Sequence, residues 1–274
     1  MGLLIIDRNK CKRDGFCVRE CPAAIIQLPE DEGYPEILRD AEAGCIRCGH
    51  CVAVCPHGAL DHVDVPIGSS PEIRDALRID EARAEQFLRS RRSVRVFRDK
   101  PVEKDKIQRL IEIARYAPTG GNSQMIQWTV ITDKARLKKI AGLIVDWLRQ
   151  LVKDPKVVAA SPYLPKVVGA WDAGYDSVLR NAPAVVAASA SAEVMTGQVD
   201  TMIALTYLDL AAPVMGLGTC WAGLLQGALI NSPSLKEEVG IPADHPHHYT
   251  LMLGYNNARY YRVPERKAPR VVFI

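Results

Sequence analysis

Apolar positions along this chain fall into two regimes that part near residue 66. Beyond it, the spacing is that of ordinary helices and strands. Ile107, Leu110, Ile111 and Ala114 share one helical face, predicting an amphipathic helix over 106–116. Ile73, Leu77, Ile79, Phe87 and Leu88 recur at roughly helical spacing among charges, predicting an earlier helix over 72–89 that starts at Ser70-Pro71-Glu72. Trp128-Thr129-Val130-Ile131-Thr132 predicts a strand, and 145–152 a further helix. The longest apolar run, 203–230, carries Asp209, Pro213 and several glycines and lacks flanking basic residues. It predicts a buried helix followed by a buried strand, not a membrane span. Prolines interrupt 155–171. Two polar breaks stand out: Pro66-Ile67-Gly68-Ser69-Ser70-Pro71 reads as a linker, and Ala117-Pro118-Thr119-Gly120-Gly121-Asn122-Ser123-Gln124 as a glycine-rich loop.

Before residue 66 the organising residues are cysteines. Cys45, Cys48, Cys51 and Cys55 stand as C-x2-C-x2-C-x3-C, followed at once by Pro56, the spacing of an iron–sulfur ligand run. Short spacers let three thiolates of one loop converge on one cluster, while the fourth, on the helix that follows, points toward another. Zinc also accepts C-x2-C pairs, but usually two pairs from separate loops. A shift of 34 residues places Cys11 on Cys45, Cys17 on Cys51, Cys21 on Cys55 and Pro22 on Pro56. Two copies of one loop-and-helix unit imply a pseudo-twofold domain with two clusters. The same shift puts Asp14 where the second copy has Cys48, so one site is a cysteine short. Two arrangements are open there: a four-iron cluster with a carboxylate ligand, or a three-iron cluster with that corner vacant. Asp14 before Gly15 also suits a turn. His50 and His57 flank cluster cysteines; because the run beside them is complete in cysteine, they read as loop residues near the cluster rather than ligands.

This first segment resembles the two-cluster bacterial-type ferredoxins along its whole length. The resemblance implies crossed ligation: Cys45, Cys48 and Cys51 with Cys21 in one cluster, and Cys11 and Cys17 with Cys55, and with Asp14 where it ligates, in the other.

Composition narrows the picture. Hydrophobic content of 48% and charged content of 24% give a globular chain with ample core material, and 274 residues suit one large or two ordinary domains. A formal charge of +3 is too small to argue for nucleic acid or a membrane surface as partner. Seven of the eight cysteines precede residue 56, separating a cysteine-rich head from a cysteine-poor body. Metal-type spacing favours a reducing compartment. The opening Met1-Gly2-Leu3-Leu4-Ile5-Ile6-Asp7 lacks a basic stretch and has too short an apolar run for a signal peptide, so the expectation is a cytoplasmic protein. The expected division is 1–66, a joint over 67–84, and a body over 85–274.

In the body, Arg91-Arg92-Ser93-Val94-Arg95-Val96-Phe97 places three arginines among apolar residues, either a solvated basic face or an anion site. This segment, the helix after it, Pro118-Thr119-Gly120-Gly121-Asn122-Ser123-Gln124 before a strand, the apolar helix after Val199-Asp200, Gly216-Leu217-Gly218-Thr219-Cys220-Trp221-Ala222-Gly223, and Pro264-Glu265-Arg266-Lys267 follow one another in an order that resembles the nitroreductase flavoproteins. The resemblance covers 85–274 and implies an α+β fold, a central sheet wrapped by helices, in an intertwined homodimer with FMN at the interface. It assigns to FMN Arg91, Arg92, Ser93 and Arg95, the loop residues Pro118, Thr119, Asn122 and Gln124, the turn residues Cys220, Trp221, Ala222 and Gly223, and Arg266 or Lys267 for the phosphate. Some members carry an acidic residue where Ala222 stands, and Met125 after Gln124 is a mild departure. Cys220 alone reads as a small buried residue rather than a redox group. Bidentate arginine suits a phosphate near two negative charges.

The combined expectation is an iron–sulfur flavoprotein oxidoreductase. It would reduce an electrophilic small molecule (a nitroaromatic, a quinone or similar) through FMN, with electrons relayed by the clusters from a ferredoxin-like partner or from NAD(P)H. No G-x-G-x-x-G fingerprint is present, and nitroreductases use none. Same-fold alternatives are a dehalogenase, a dehydrogenase or a flavin-fragmenting enzyme; a non-catalytic electron-transfer or redox-sensing module is another. No side chain is singled out as catalytic. Residues 143–181 correspond to the family's variable lid, where Tyr163, Trp171 and Tyr175 either shape a substrate pocket or belong to the core. His245, His247 and His248 read as a loop.

Overall fold

A computed structural model describes residues 2–30 and 33–274. The chain divides into two units. The first comprises Met1–Ile79 with Gly121–Ser123, and the second Asp80–Gly120 with Gln124–Ile274.

In the first unit, strand β1 (Leu4–Ile6), helix α1 (Phe16–Arg19), β2 (Ile26–Gln27), β3 (Glu36–Ile37), α2 (His50–Ala53) and β4 (Leu60–His62) follow in order. β1 pairs antiparallel with β4, bringing Leu4 opposite His62, and β2 pairs antiparallel with β3. The 34-residue repeat holds at the level of the backbone. The bounds of α1 shifted by 34 are those of α2, and both helices follow a glycine in the left-handed region, Gly15 and Gly49 at φ 70°. Arg13 and Arg47 share positive φ (58° and 53°), as do Ala24 and Gly58 (51° and 55°). Such angles are costly for residues with a Cβ, so their recurrence at equivalent positions marks two copies of one loop geometry. Cys17, Ile25, Ile26, Cys51, Val52 and Leu60 form its small core.

The second unit opens with α3 (Glu81–Ser90), capped by Asp80, whose carboxylate accepts the Arg83 N–H at 2.8 Å. The predicted helix over 72–89 is thus shorter and starts later, because Asp80 offers the capping carboxylate that Ser70 does not provide. α4 (Lys104–Ala114) and β5 (Gln127–Ile131) fall where the periodicity predicts them. α5 (Lys134–Leu151), α6 (Pro155–Ala160) and α7 (Leu164–Asp172) follow, the last two with proline in their first turn, where a missing N–H costs nothing. Then come β6 (Ala184–Ala190), α8 (Gly197–Val214), β7 (Gly218–Trp221), α9 (Gly223–Asn231), α10 (Pro233–Val239) and β8 (His247–Gly254).

The sheet is antiparallel in the order β5-β6-β8-β7. Every residue of β6 is buried, which requires cover on both faces. Val185 and Ala187 face a core with Ile140, Ile144 and Leu148 of α5. Ala184, Val186 and Ala188 face the other core, with Leu110 of α4 and Leu205 and Leu208 of α8. The result is an α+β layer structure, helices on each side of one sheet. Among the described residues no helix is long and apolar enough to cross a membrane.

Three local expectations change. The run 203–230 holds a short strand, β7, followed by α9, where a single strand was expected. His247 and His248 begin β8 rather than lying in a loop, with His248 buried. Of the three aromatics in 143–181, Trp171 packs on the core beside α5, while Tyr163 and Tyr175 are exposed.

Candidate functional site

The first unit gathers its cysteines into two groups. Cys21, Cys45, Cys48 and Cys51 line one cavity, and Cys11, Cys17 and Cys55 line another together with Asp14 and His57. Each group therefore takes one cysteine from the opposite copy of the repeat. Among the described residues, no three His, Cys, Asp or Glu side chains approach closely enough to hold a single metal ion. Four cysteines around one cavity, three of them from a single run, suit an iron–sulfur cluster better than zinc, which usually takes two pairs from separate loops. Burial pushes the Cys17 thiol up and that of Cys51 to about 11, so metal must displace a proton from each.

Asp14 is fixed through both oxygens. Its Oδ1 accepts the Phe16 N–H at 3.2 Å, the turn contact expected of an aspartate before glycine, and its Oδ2 lies 3.2 Å from His57 Nε2. His57 thus sits at the group that is one cysteine short, not beside the complete one as the sequence order implied. The crossing of Cys55 into the other group carries its neighbour along. His50 instead pairs with Glu20 at 3.2 Å. Gly121–Ser123 fold with this unit: Asn122 Nδ2 donates to the carbonyl oxygens of Ile46 (3.0 Å) and Arg47 (3.1 Å), within the Cys45–Cys48 loop.

In the second unit the arginine segment lies along β7. Val94 N–H donates to the Thr219 carbonyl at 2.8 Å, and Ser93 bridges to Thr219. The approach depends on Gly218, where a Cβ would come within 2.4 Å of Val94 Cγ2. The contact brings Arg91 and the Thr219 and Trp221 side chains of β7 onto one carboxylate, Asp209, which projects from α8 and is 2% exposed. Its Oδ2 accepts from Trp221 Nε1 at 3.0 Å and pairs with Arg91 Nη1 at 3.5 Å, while its Oδ1 accepts from the Thr219 hydroxyl. Trp221 also meets Tyr249 edge-on at a centroid distance of 5.2 Å. Arg91 and Arg92 line a cavity with Ser90, Asn256 and Tyr260, and Arg92 Nη2 is shielded from solvent without a partner. An orphaned guanidinium nitrogen beside a cavity is the donor an anionic group would satisfy. Arg95 is exposed, bonded only to the Ser93 carbonyl at 3.4 Å.

The remaining predicted residues are placed as follows. The Thr119 hydroxyl accepts the Gln124 N–H at 3.1 Å and Gly120 N–H donates to Asp200 Oδ1 at 3.1 Å, which shapes the loop after the exposed Pro118. Cys220 and Ala222 are buried, and burial raises the Cys220 thiol. Gly223 begins α9, and a Cβ there would meet only Tyr249 Oη, at 3.9 Å. Arg266 and Lys267 are exposed on the irregular stretch after β8, without a hydrogen bond or ion pair among the described residues. Asp200 and Asp209 were missed as site residues. The available signal was a carboxylate inside an apolar helical run, which is costly to bury unless it has a partner.

Comparison with known proteins is consistent with this geometry. Residues 88–255 match the nitroreductase family, and residues 9–60 match the 4Fe-4S dicluster domain. An Archaeoglobus fulgidus protein provisionally described as an NADH dehydrogenase/NAD(P)H nitroreductase is 25% identical over 189 residues, covering 67% of this chain and 92% of its own. The protein named Ferredoxin 7Fe from Hydrogenibacillus schlegelii is 41% identical over 54 residues, 19% of this chain and 60% of that ferredoxin. A Bacteroides fragilis nitroreductase whose crystal structure contains FMN aligns with a TM-score of 0.58 at 20% identity, covering 71% of this chain and 100% of that one, a likeness of fold. With the family match spanning well over half of its length, the chain belongs to the nitroreductase family and carries a 4Fe-4S dicluster domain ahead of it.

Proposed function

We propose that the protein is an iron–sulfur flavoprotein oxidoreductase that holds FMN in its second unit and two clusters in its first, and reduces an electrophilic small molecule such as a nitroaromatic or a quinone. The observation that carries this reading is the convergence of Arg91 and the Thr219 and Trp221 side chains on buried Asp209, beside the unpartnered Arg92 Nη2. Arg91, Arg92 and Arg95 would hold the phosphate, with Ser93 as a hydroxyl donor and the 118–124 loop and the 220–223 turn lining the ring. Bound FMN supplies the redox chemistry; the residues supply position and charge. Arg266 and Lys267 would reach the phosphate from a second copy of the chain. Exposed Met195, Val199 and Val214 on and beside α8, and Val271–Ile274 at the end of the chain, offer apolar surface for such a homodimer.

Cys45, Cys48, Cys51 and Cys21 would hold a four-iron cluster, and Cys11, Cys17 and Cys55 the second, with Asp14 beside the corner that lacks a cysteine. The seven irons in the name of the Hydrogenibacillus relative support one four-iron and one three-iron cluster. Electrons would enter singly, from a ferredoxin-like protein or from NAD(P)H through a partner, and a reducing cytoplasm suits thiolate ligation. Anaerobic purification with a visible spectrum, iron count and flavin extraction tests the reading. About one FMN per chain and seven or eight irons are expected from the ligand sets, and a chain that retains no flavin refutes the assignment of the second unit.

A further inference from the structure

His62 ends β4 with 2% of its surface exposed, one of few polar side chains in the core of the first unit. Both ring nitrogens are used. Nδ1 accepts the backbone N–H of Asp64 at 3.0 Å. A backbone amide can only donate, so Nδ1 must present its lone pair and the ring hydrogen sits on Nε2. Nε2 lies 3.5 Å from Cys45 Sγ, within hydrogen-bond reach of sulfur. The tautomer is therefore set on one side of the ring, and the donor on the other side is aimed at a cysteine of the complete group.

The backbone around the ring is equally committed. Asp61 Oδ1 accepts the N–H groups of His62 and Ile67, both at 2.8 Å, and Val65 N–H donates to the His62 carbonyl at 3.1 Å. The strand end and the turn after it hold the imidazole in place.

The repeat provides an internal control. Shifted by 34 residues, Cys45 corresponds to Cys11 and His62 to Leu28. Leu28 is half-buried just beyond β2, so the sequence of the other copy carries an aliphatic residue at the shifted position and the repeat itself does not call for histidine. A buried imidazole costs more than leucine unless its polar atoms are satisfied, and here satisfaction runs through the thiolate.

We propose that His62 is a positioning residue that donates its Nε2–H to Cys45 Sγ and thereby raises the reduction potential of the cluster held by Cys21, Cys45, Cys48 and Cys51 relative to that of its twin. The inference rests on the cluster ligation proposed above. When the cluster takes up one electron, the added negative charge spreads onto its sulfurs and thiolates. A donor pointed at one of them stabilises the reduced state more than the oxidised. Leu28 provides no such donor to Cys11. The two clusters of one duplicated fold are thus unequal, and the Cys45 cluster is the better acceptor.

EPR-monitored dithionite titration of the intact protein, with iron counted in each sample, tests this. In His62→Leu one of the two cluster transitions is expected at lower potential and the other unchanged. At a fixed potential the reduced-to-oxidised ratio of the affected cluster would fall by roughly tenfold, equivalent to about 59 mV for one electron. His62→Gln, whose amide can place N–H near the Nε2 position, should restore most of the shift. Full iron with both transitions unmoved in the leucine variant, or an equal fall in both variants, overturns the proposal. Wild-type protein without iron would instead refute the cluster reading itself. A measurement that needs no variant guards against loss of the cluster in His62→Leu. In protein labelled with 15N-histidine, pulsed EPR of the reduced cluster should show coupling to a histidine nitrogen, and its absence also overturns the proposal.

Discussion

Asp209 is the residue whose replacement most directly tests the second unit. Its carboxylate accepts from the Trp221 indole, the Thr219 hydroxyl and Arg91. Asp209→Ala leaves a half-buried indole N–H without its acceptor, at about 1–3 kcal/mol, and a hydroxyl and a guanidinium to find new partners. The Arg91 side chain is 30% exposed, so water recovers part of its loss and the ion pair itself adds little beyond the hydrogen bonds. The sum is about 3–5 kcal/mol, the range expected when one partner of a buried charged network is deleted. Asp209→Asn is milder. Its amide oxygen can serve Trp221 and Arg91 while the Thr219 hydroxyl turns to accept from the NH2, leaving about 1–2 kcal/mol for the lost charge.

All four tryptophans, Trp128, Trp147, Trp171 and Trp221, lie in the second unit, so tryptophan fluorescence reports its unfolding separately from the first. For a unit of this size, about 1 kcal/mol shifts Tm by about 2–4 °C, so Asp209→Ala should melt about 6–20 °C below wild type and Asp209→Asn less than half as far. Flavin retention should follow the same order, because Arg91 loses its anchor in the alanine variant and only the charge of that anchor in the asparagine variant. An alanine variant within about 1 kcal/mol of wild type would refute the reasoning, since the three donors would then not depend on the carboxylate.

Three further outcomes are expected. Burial lowers His248 from its ordinary value of 6.5 to about 4, so the native state resists protonation while the unfolded chain does not; stability is complete above pH 6.5 and falls by about 3 kcal/mol as pH drops through 6.5 toward 4, a slope that urea titrations of His248→Phe should lack. Gly218→Ala drives a Cβ against Val94 and should cost about 1–3 kcal/mol in urea unfolding, with less than the additive loss when combined with Val94→Ala. Asp14→Cys should raise iron per chain and replace a three-iron or labile EPR signal with a stable four-iron one; unchanged iron and EPR would place Asp14 away from the vacant corner.

The parts of this molecule that could be read from sequence are those fixed by local spacing. Cysteine intervals and a 34-residue shift are properties of the chain itself, and the recurrence of positive φ at Arg13 and Arg47 shows the backbone following them. α4 was visible because one face is apolar and the other charged. β6 escaped notice because all seven of its residues are buried; a strand covered on both faces has no alternation to detect, and its alanines dilute the apolar signal. The α9 segment failed for a related reason, being apolar on all sides. His57 and Asp209 were hidden differently. Each is defined by a partner distant in sequence, Asp14 for one and Arg91 and Trp221 for the other, and only the crossing of chain segments brings those pairs together.

A duplicated domain makes divergence between its halves informative, because each half shows what the shared fold requires. Cys48 and Asp14 differ in side chain where the loop backbone is repeated, and His62 and Leu28 differ at positions the 34-residue shift aligns. With clusters held as proposed, the first pair would leave one corner to a harder and weaker carboxylate or vacant. The second would change the hydrogen bonding of a ligand thiolate. Both differences would separate the two sites electronically. Two identical clusters would give an electron no preferred direction between them. Two made unequal by ligand and by hydrogen bond give it one, toward the site where Asn122 also binds the ligand loop. Reversing the exchange with Leu28→His in a His62→Leu background should move the higher potential to the other cluster if the histidine alone sets the difference. A difference that persists unreversed assigns it to the Asp14 corner.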